Sequence, residues 1–140
     1  MPAKILIVDD EESLTKLLKL SVEGEGDFEV RVETDPLLAL QAALDFQPDL
    51  IVLDITMPRK NGVTLAEDMR EEESLKDTPL IFLSASVSNT ASGFWLNTDE
   101  RMYKKLENKV LREAVFLEKP VTTEELVEAI DKLLNAGPTA

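Results

Sequence analysis

The chain contains no cysteine and no histidine. Without cysteine there are no disulfides, no thiolate metal sites and no thiol nucleophile. Without histidine there is no Ser-His-Asp catalysis, no imidazole base and little scope for zinc chemistry. Long apolar runs are missing as well: Ile5 to Val8 and Leu50 to Leu53 are far too short to span a bilayer. Bases are scarce, with 15 Lys and Arg against 28 Asp and Glu, a net charge of −13. That balance opposes binding to nucleic acid or to an anionic membrane and suits cations or basic partners. Met1-Pro2-Ala3-Lys4 followed by a four-residue apolar run does not read as a signal peptide. A reducing cytoplasm is therefore the expected location.

What is present fits one domain, since 140 residues falls within the usual domain size of about 100–200. Apolar runs close a strand at four places: Lys4 to Val8, Leu50 to Leu53, Leu80 to Leu83 and Val115 to Leu117. Continuous apolar runs of this length suit strands buried on both faces. Phe28, Val30 and Val32 alternate with charges, as on an edge strand. Helical spacing appears between them. It covers Glu12 to Glu23 (Leu14, Leu17, Leu18, Val22), a segment opened by Asp35-Pro36 and carried through Leu37, Leu40, Ala43 and Leu44, and about Val63 to Glu73. Thr122-Thr123-Glu124-Glu125 reads as a capping box for a last helix carrying Leu126, Ile130, Leu133 and Leu134. Strand and helix in alternation imply an α/β domain with a parallel sheet and helices on both faces.

Acid placement locates the site. Asp9 and Asp10 follow the first apolar strand, and Asp54 follows the third. In open parallel sheets ligands bind outside the carboxyl ends of the strands. If the first and third strands are neighbours, three carboxylates converge, and their repulsion raises a pKa or demands a cation. Oxygen donors without nitrogen or sulfur favour a hard ion such as Mg²⁺. Each acid also has a plainer reading, as a helix cap or a strand end before a turn. Ser84 and Lys119 close the fourth and fifth strands at the same edge. An acid nucleophile, metal-binding acids, a hydroxyl and a fixed cation together suit phosphoryl transfer to a carboxylate.

At this point the sequence resembles the receiver domain of two-component response regulators, the CheY-like superfamily. The residues that carry the resemblance are Ile7-Val8-Asp9-Asp10-Glu11-Glu12, Asp54-Ile55-Thr56-Met57-Pro58 with Gly62, Leu83-Ser84-Ala85 and Leu117-Glu118-Lys119-Pro120. It covers about residues 3–135 and implies a flavodoxin-like, doubly wound sheet of five parallel strands in the order 2-1-3-4-5. It also implies Asp54 as phosphoacceptor, fed from a sensor histidine kinase or a phosphotransfer protein. Asp9, Asp10, Asp54 and the main-chain carbonyl of Thr56 would bind Mg²⁺, with Mn²⁺ as a substitute. Lys119 and Ser84 would hold the phosphoryl oxygens, and Phe116 would be the switch aromatic. Thr56 and Ser86 would tune phosphate lifetime. Such a domain is a signalling phosphoacceptor that assists its own phosphorylation and dephosphorylation rather than an enzyme acting on others.

The family's signalling face is built from its fourth helix, fifth strand and fifth helix. Here the interval from Ser84 to Lys119 is lengthened, with extra loop and helix expected at about 88–113. Residues 91–114 carry five bases against four acids. A phosphorylation-independent interaction module, a degenerate receiver, is the alternative function. A metal-dependent phosphatase is a more distant one, since Thr56 stands where such enzymes keep a second acid. The effector or target is unknown: the chain is either a stand-alone receiver or a fragment, and at net charge −13 the apo form is expected to be a monomer.

Overall fold

The computed structural model describes residues 2–84, 87–90, 93–96 and 115–135. In chain order these form β1 (Ala3–Val8), α1 (Glu12–Glu25), β2 (Phe28–Glu33), α2 (Ala39–Phe46), β3 (Leu50–Asp54), α3 (Gly62–Arg70) and β4 (Leu80–Ser84). Then come β5 (Val87–Thr90), β6 (Gly93–Leu96), β7 (Val115–Glu118) and α4 (Thr123–Asn135). Five strands make one parallel sheet in the order β2-β1-β3-β4-β7. With β7 in the fifth place, this is the 2-1-3-4-5 order of a flavodoxin-like fold.

Alternation along each strand divides the core into two layers. Leu6, Val8, Ile51, Leu53 and Phe82 face Ala39, Ala42 and Ala43 of α2 and Val63, Ala66 and Met69 of α3. Ile5, Ile7, Leu50, Val52, Ile81 and Leu83 face Leu18 and Val22 of α1 and Leu126 and Ile130 of α4. Every residue of β3 and β4 is buried, which is why each is an apolar run up to its last residue, Asp54 or Ser84. Caps set two helix starts. Asn61 Oδ1 accepts the Thr64 N–H at 2.8 Å, and Thr122 Oγ1 accepts the Glu125 N–H at 3.1 Å.

The structure departs from the sequence expectation in three places. First, α2 begins at Ala39 rather than at Asp35-Pro36. The Asp35 carboxylate accepts the Leu37 N–H, as a cap would, but the Asp35 and Pro36 carbonyls accept from Leu38 and Ala39, three residues on, so the chain makes a tight turn before the α-helical ladder begins. Leu37 is 55% exposed as a result. Second, Leu17 points outward at 61% exposure, because Leu14, Thr15, Leu18 and Val22 lie on one face and Leu17 falls about 100° from Leu18. Third, β5 and β6 pair antiparallel, with Val87 opposite Leu96 and Thr90 opposite Gly93, where a loop was expected. The helical stretch expected beyond it lies outside the described residues.

Candidate functional site

The first and third strands are neighbours, with Val8 in register with Leu53. Asp9 and Asp54 therefore emerge side by side at the carboxyl rim of the sheet. Both are buried, at 0% and 3% exposure, while Asp10, one residue further along, is exposed. One carboxylate oxygen from each of Asp9, Asp10 and Asp54 lies within 4.8 Å of the others. Asp9 is oriented by its own turn, Oδ1 accepting the Glu11 N–H at 3.0 Å. Asp54 Oδ1 accepts the Thr56 N–H at 3.3 Å.

Lys119 arrives from the end of β7 and bridges the two buried acids. Its Nζ lies 2.7 Å from Asp9 Oδ2 and 3.4 Å from Asp54 Oδ2. Its main-chain N–H donates to the Ser84 carbonyl at 2.9 Å. Ser84 is itself fully buried, one residue beyond Leu83, the register partner of Asp54. The electrostatics follow from crowding. Burial, then the charge on Asp9, push the Asp54 carboxyl up to about 7, against the opposing pull of Lys119 and of the Thr56 N–H. Burial works against the Lys119 ammonium, but Asp9 and Asp54 outweigh it and hold its pKa above the ordinary lysine value.

With three carboxylates against one ammonium, the ionised cluster lacks two positive charges. The donor atoms are all oxygen. That set fits a hard divalent cation.

The remaining expected residues are placed as follows. Thr56 is exposed. Phe116 is half-buried and stacks on Phe82, its register partner on β4, with ring centroids 5.4 Å apart and an interplanar angle of 24°. Ser86 lies outside the described residues. Three further residues shape the rim. Gly62 packs so tightly against the end of β3 that a Cβ there would stand 2.2 Å from the Asp54 carbonyl oxygen, and its N–H donates to the Ile55 carbonyl at 2.9 Å. Arg59 reaches Asp35 at 3.0 Å. The sequence reads Asp35 as the opening of a helix, and nothing in it pairs that acid with Arg59.

The sequence profile described as the response regulator receiver domain matches residues 5–131. The chain belongs to this family. Among curated relatives, the receiver is similar to the transcriptional regulatory protein CpxR of Klebsiella pneumoniae, at 37% identity over 86% of this chain and 54% of that protein. The alkaline phosphatase synthesis transcriptional regulatory protein PhoP of Bacillus subtilis is 35% identical over 74% of this chain and 43% of its own length. The receiver thus spans about half the length of the curated relatives it matches. Among solved structures, the chemotaxis response regulator CheY4 of Vibrio cholerae superposes with a TM-score of 0.77 at 26% identity, covering 95% of this chain and 99% of that one. Like its relatives in two-component systems, this is a signalling protein. Among the described residues no helix is long and apolar enough to cross a membrane.

Proposed function

We propose that this receiver is a phosphorylation switch in which Asp54 takes a phosphoryl group from the phosphohistidine of a sensor histidine kinase in the cytoplasm. The observation that carries the reading is the bridging of two buried acids from adjacent strands by Lys119, with Asp10 completing the oxygen cluster. In the reaction Asp54 attacks phosphorus in line. An oxygen–phosphorus bond forms, the nitrogen–phosphorus bond breaks, and the bonding electron pair leaves with the imidazole.

Asp54 must be ionised to attack. The Lys119 ammonium favours that form, and its placement suits a phosphoryl oxygen once the acyl phosphate exists. Asp9, Asp10, Asp54 and the Thr56 carbonyl would hold Mg²⁺, or Mn²⁺ in its place. When bound, the metal would neutralise charge on the transferring group. The buried Ser84 would supply a further hydroxyl donor, and Phe116 would respond by packing, since its ring has no hydroxyl. Thr56 and Ser86, small and uncharged, would leave water access to the acyl phosphate. The signal would leave through an effector domain or a partner protein.

An acyl-phosphate donor with Mg²⁺ tests the reading. Intact-protein mass spectrometry should show one added phosphoryl group on the wild type, none on Asp54→Asn and none when the metal is chelated. Labelling of Asp54→Asn at the wild-type level would show a different acceptor. A wild type that never labels would leave an interaction module instead.

A further inference from the structure

Arg59 stands five residues after Asp54, and its backbone lies in the left-handed region at φ 70°. A Cβ disfavours that conformation, which glycine adopts freely and asparagine or aspartate tolerates. The Arg59 side chain crosses to the turn after β2, where Nη2 lies 3.0 Å from Asp35 Oδ1. That same oxygen accepts the Leu37 N–H at 3.0 Å, so the carboxylate is already aimed by its own turn. The segment between Asp54 and Gly62 is thereby held along its length. Thr56 N–H rests on Asp54, Gly62 N–H rests on Ile55, Lys60 N–H closes on the Pro58 carbonyl around Arg59, Lys60 pairs with Asp68 of α3, and Arg59 alone is tied to a different strand's loop. A strained residue persists only where its surroundings hold it, and such residues concentrate at functional loops.

We propose that Asp35 and Arg59 form a latch that keeps the acceptor loop in its metal-competent shape, with Arg59 acting as a positioning residue through the Thr56 main chain. The inference rests on the reading of Asp54 as the magnesium-dependent acceptor. Its logic is a compensation. Arginine resists the left-handed conformation, and the Asp35 carboxylate adds to the Lys60 N–H on the Pro58 carbonyl in holding it there.

Charge alone predicts the opposite sign. Taking a cation away from an acidic rim should strengthen Mg²⁺ binding, whereas releasing the latch should weaken it. Mg²⁺ is titrated into the 140-residue chain and followed by amide chemical shifts, and acyl-phosphate labelling rates are measured at low and saturating metal. Arg59→Gln should bind Mg²⁺ about 3-fold more weakly, as should Asp35→Asn, which keeps the oxygen that accepts the Leu37 N–H. Arg59→Lys should recover part of the loss. Arg59→Gly should return close to wild type, and adding Asp35→Asn to it should change nothing. At saturating Mg²⁺ the labelling rates of Arg59→Gln and wild type should converge.

Equal or tighter Mg²⁺ binding by Arg59→Gln overturns the latch. So does an Asp35→Asn penalty of the same size in both backgrounds. The underlying reading fails in a different way, with a wild type that neither saturates with Mg²⁺ nor accepts a phosphoryl group, and the latch falls with it.

Discussion

Asp54 sits where its neighbours pull in opposite directions, and pH exposes the contest. Its folded pKa of about 7 lies well above that of an unfolded aspartate, about 4. Between these values the folded chain binds a proton that the unfolded chain has released. The stabilisation is complete below about pH 4 and is lost as pH rises through 7. Asp54→Asn should therefore match the wild type near pH 4 and exceed it by on the order of 1–3 kcal/mol at pH 8. Urea unfolding at both values checks this, and a gap independent of pH would remove ionisation as its cause. Gly62 constrains the same residue from behind. A Cβ there meets the Asp54 carbonyl oxygen at 2.2 Å and its carbonyl carbon at 3.0 Å, both main-chain atoms at the end of a buried strand that cannot easily yield. Gly62→Ala should cost about 2–4 kcal/mol and slow phosphorylation of Asp54. Wild-type stability and rate in that variant would show that the loop can shift freely.

Edge strand β2 illustrates how one element guards another. Its residue Val30 has the Lys19 ammonium on its carbonyl at 3.0 Å and the Glu23 carboxylate on its N–H at 3.0 Å. Side chains from α1 thus occupy main-chain groups that could otherwise pair with another strand. Glu23→Ala should cost about 1 kcal/mol and raise aggregation at high protein concentration, measured by light scattering. An unchanged variant would mean that water serves Val30 equally well. The strands β1, β3 and β4 were legible because burial on both faces leaves unbroken apolar runs, and Asp9, Asp54, Ser84 and Lys119 were legible because each closes such a run. The start of α2 was not. Apolar spacing continues back through Leu37, and periodicity cannot tell the three-residue turns closed by the Asp35 and Pro36 carbonyls from the first turn of an α-helix. The pairing of β5 with β6 escaped because Ser88, Asn89, Thr90 and Gly93 break up their apolar residues, whereas β7, equally four residues long, carries the continuous run Val115 to Leu117. Arg59 escaped because φ is not written in residue type.

At the level of the molecule, a net charge of −13 opposes contact between copies, even though Leu17 and Leu20 are 61% and 70% exposed on α1. In the apo state, sedimentation should show a monomer at low ionic strength. Any self-association should grow with added salt, because the repulsion is screened beyond about 10 Å at 0.1 M. A dimer present at low salt and dissolved by high salt would reverse that assignment. One feature of the rim sets how it can respond at all. Ile55 donates its N–H to Leu83, and Lys119 donates its N–H to Ser84, so the ends of β3, β4 and β7 are stitched into a single frame. Such a frame resists sliding one strand past its neighbour. Rotation about side-chain bonds is the cheap freedom left to it, so the first response to a new charge at the rim should be torsional and fast, preceding any rearrangement of the backbone beyond.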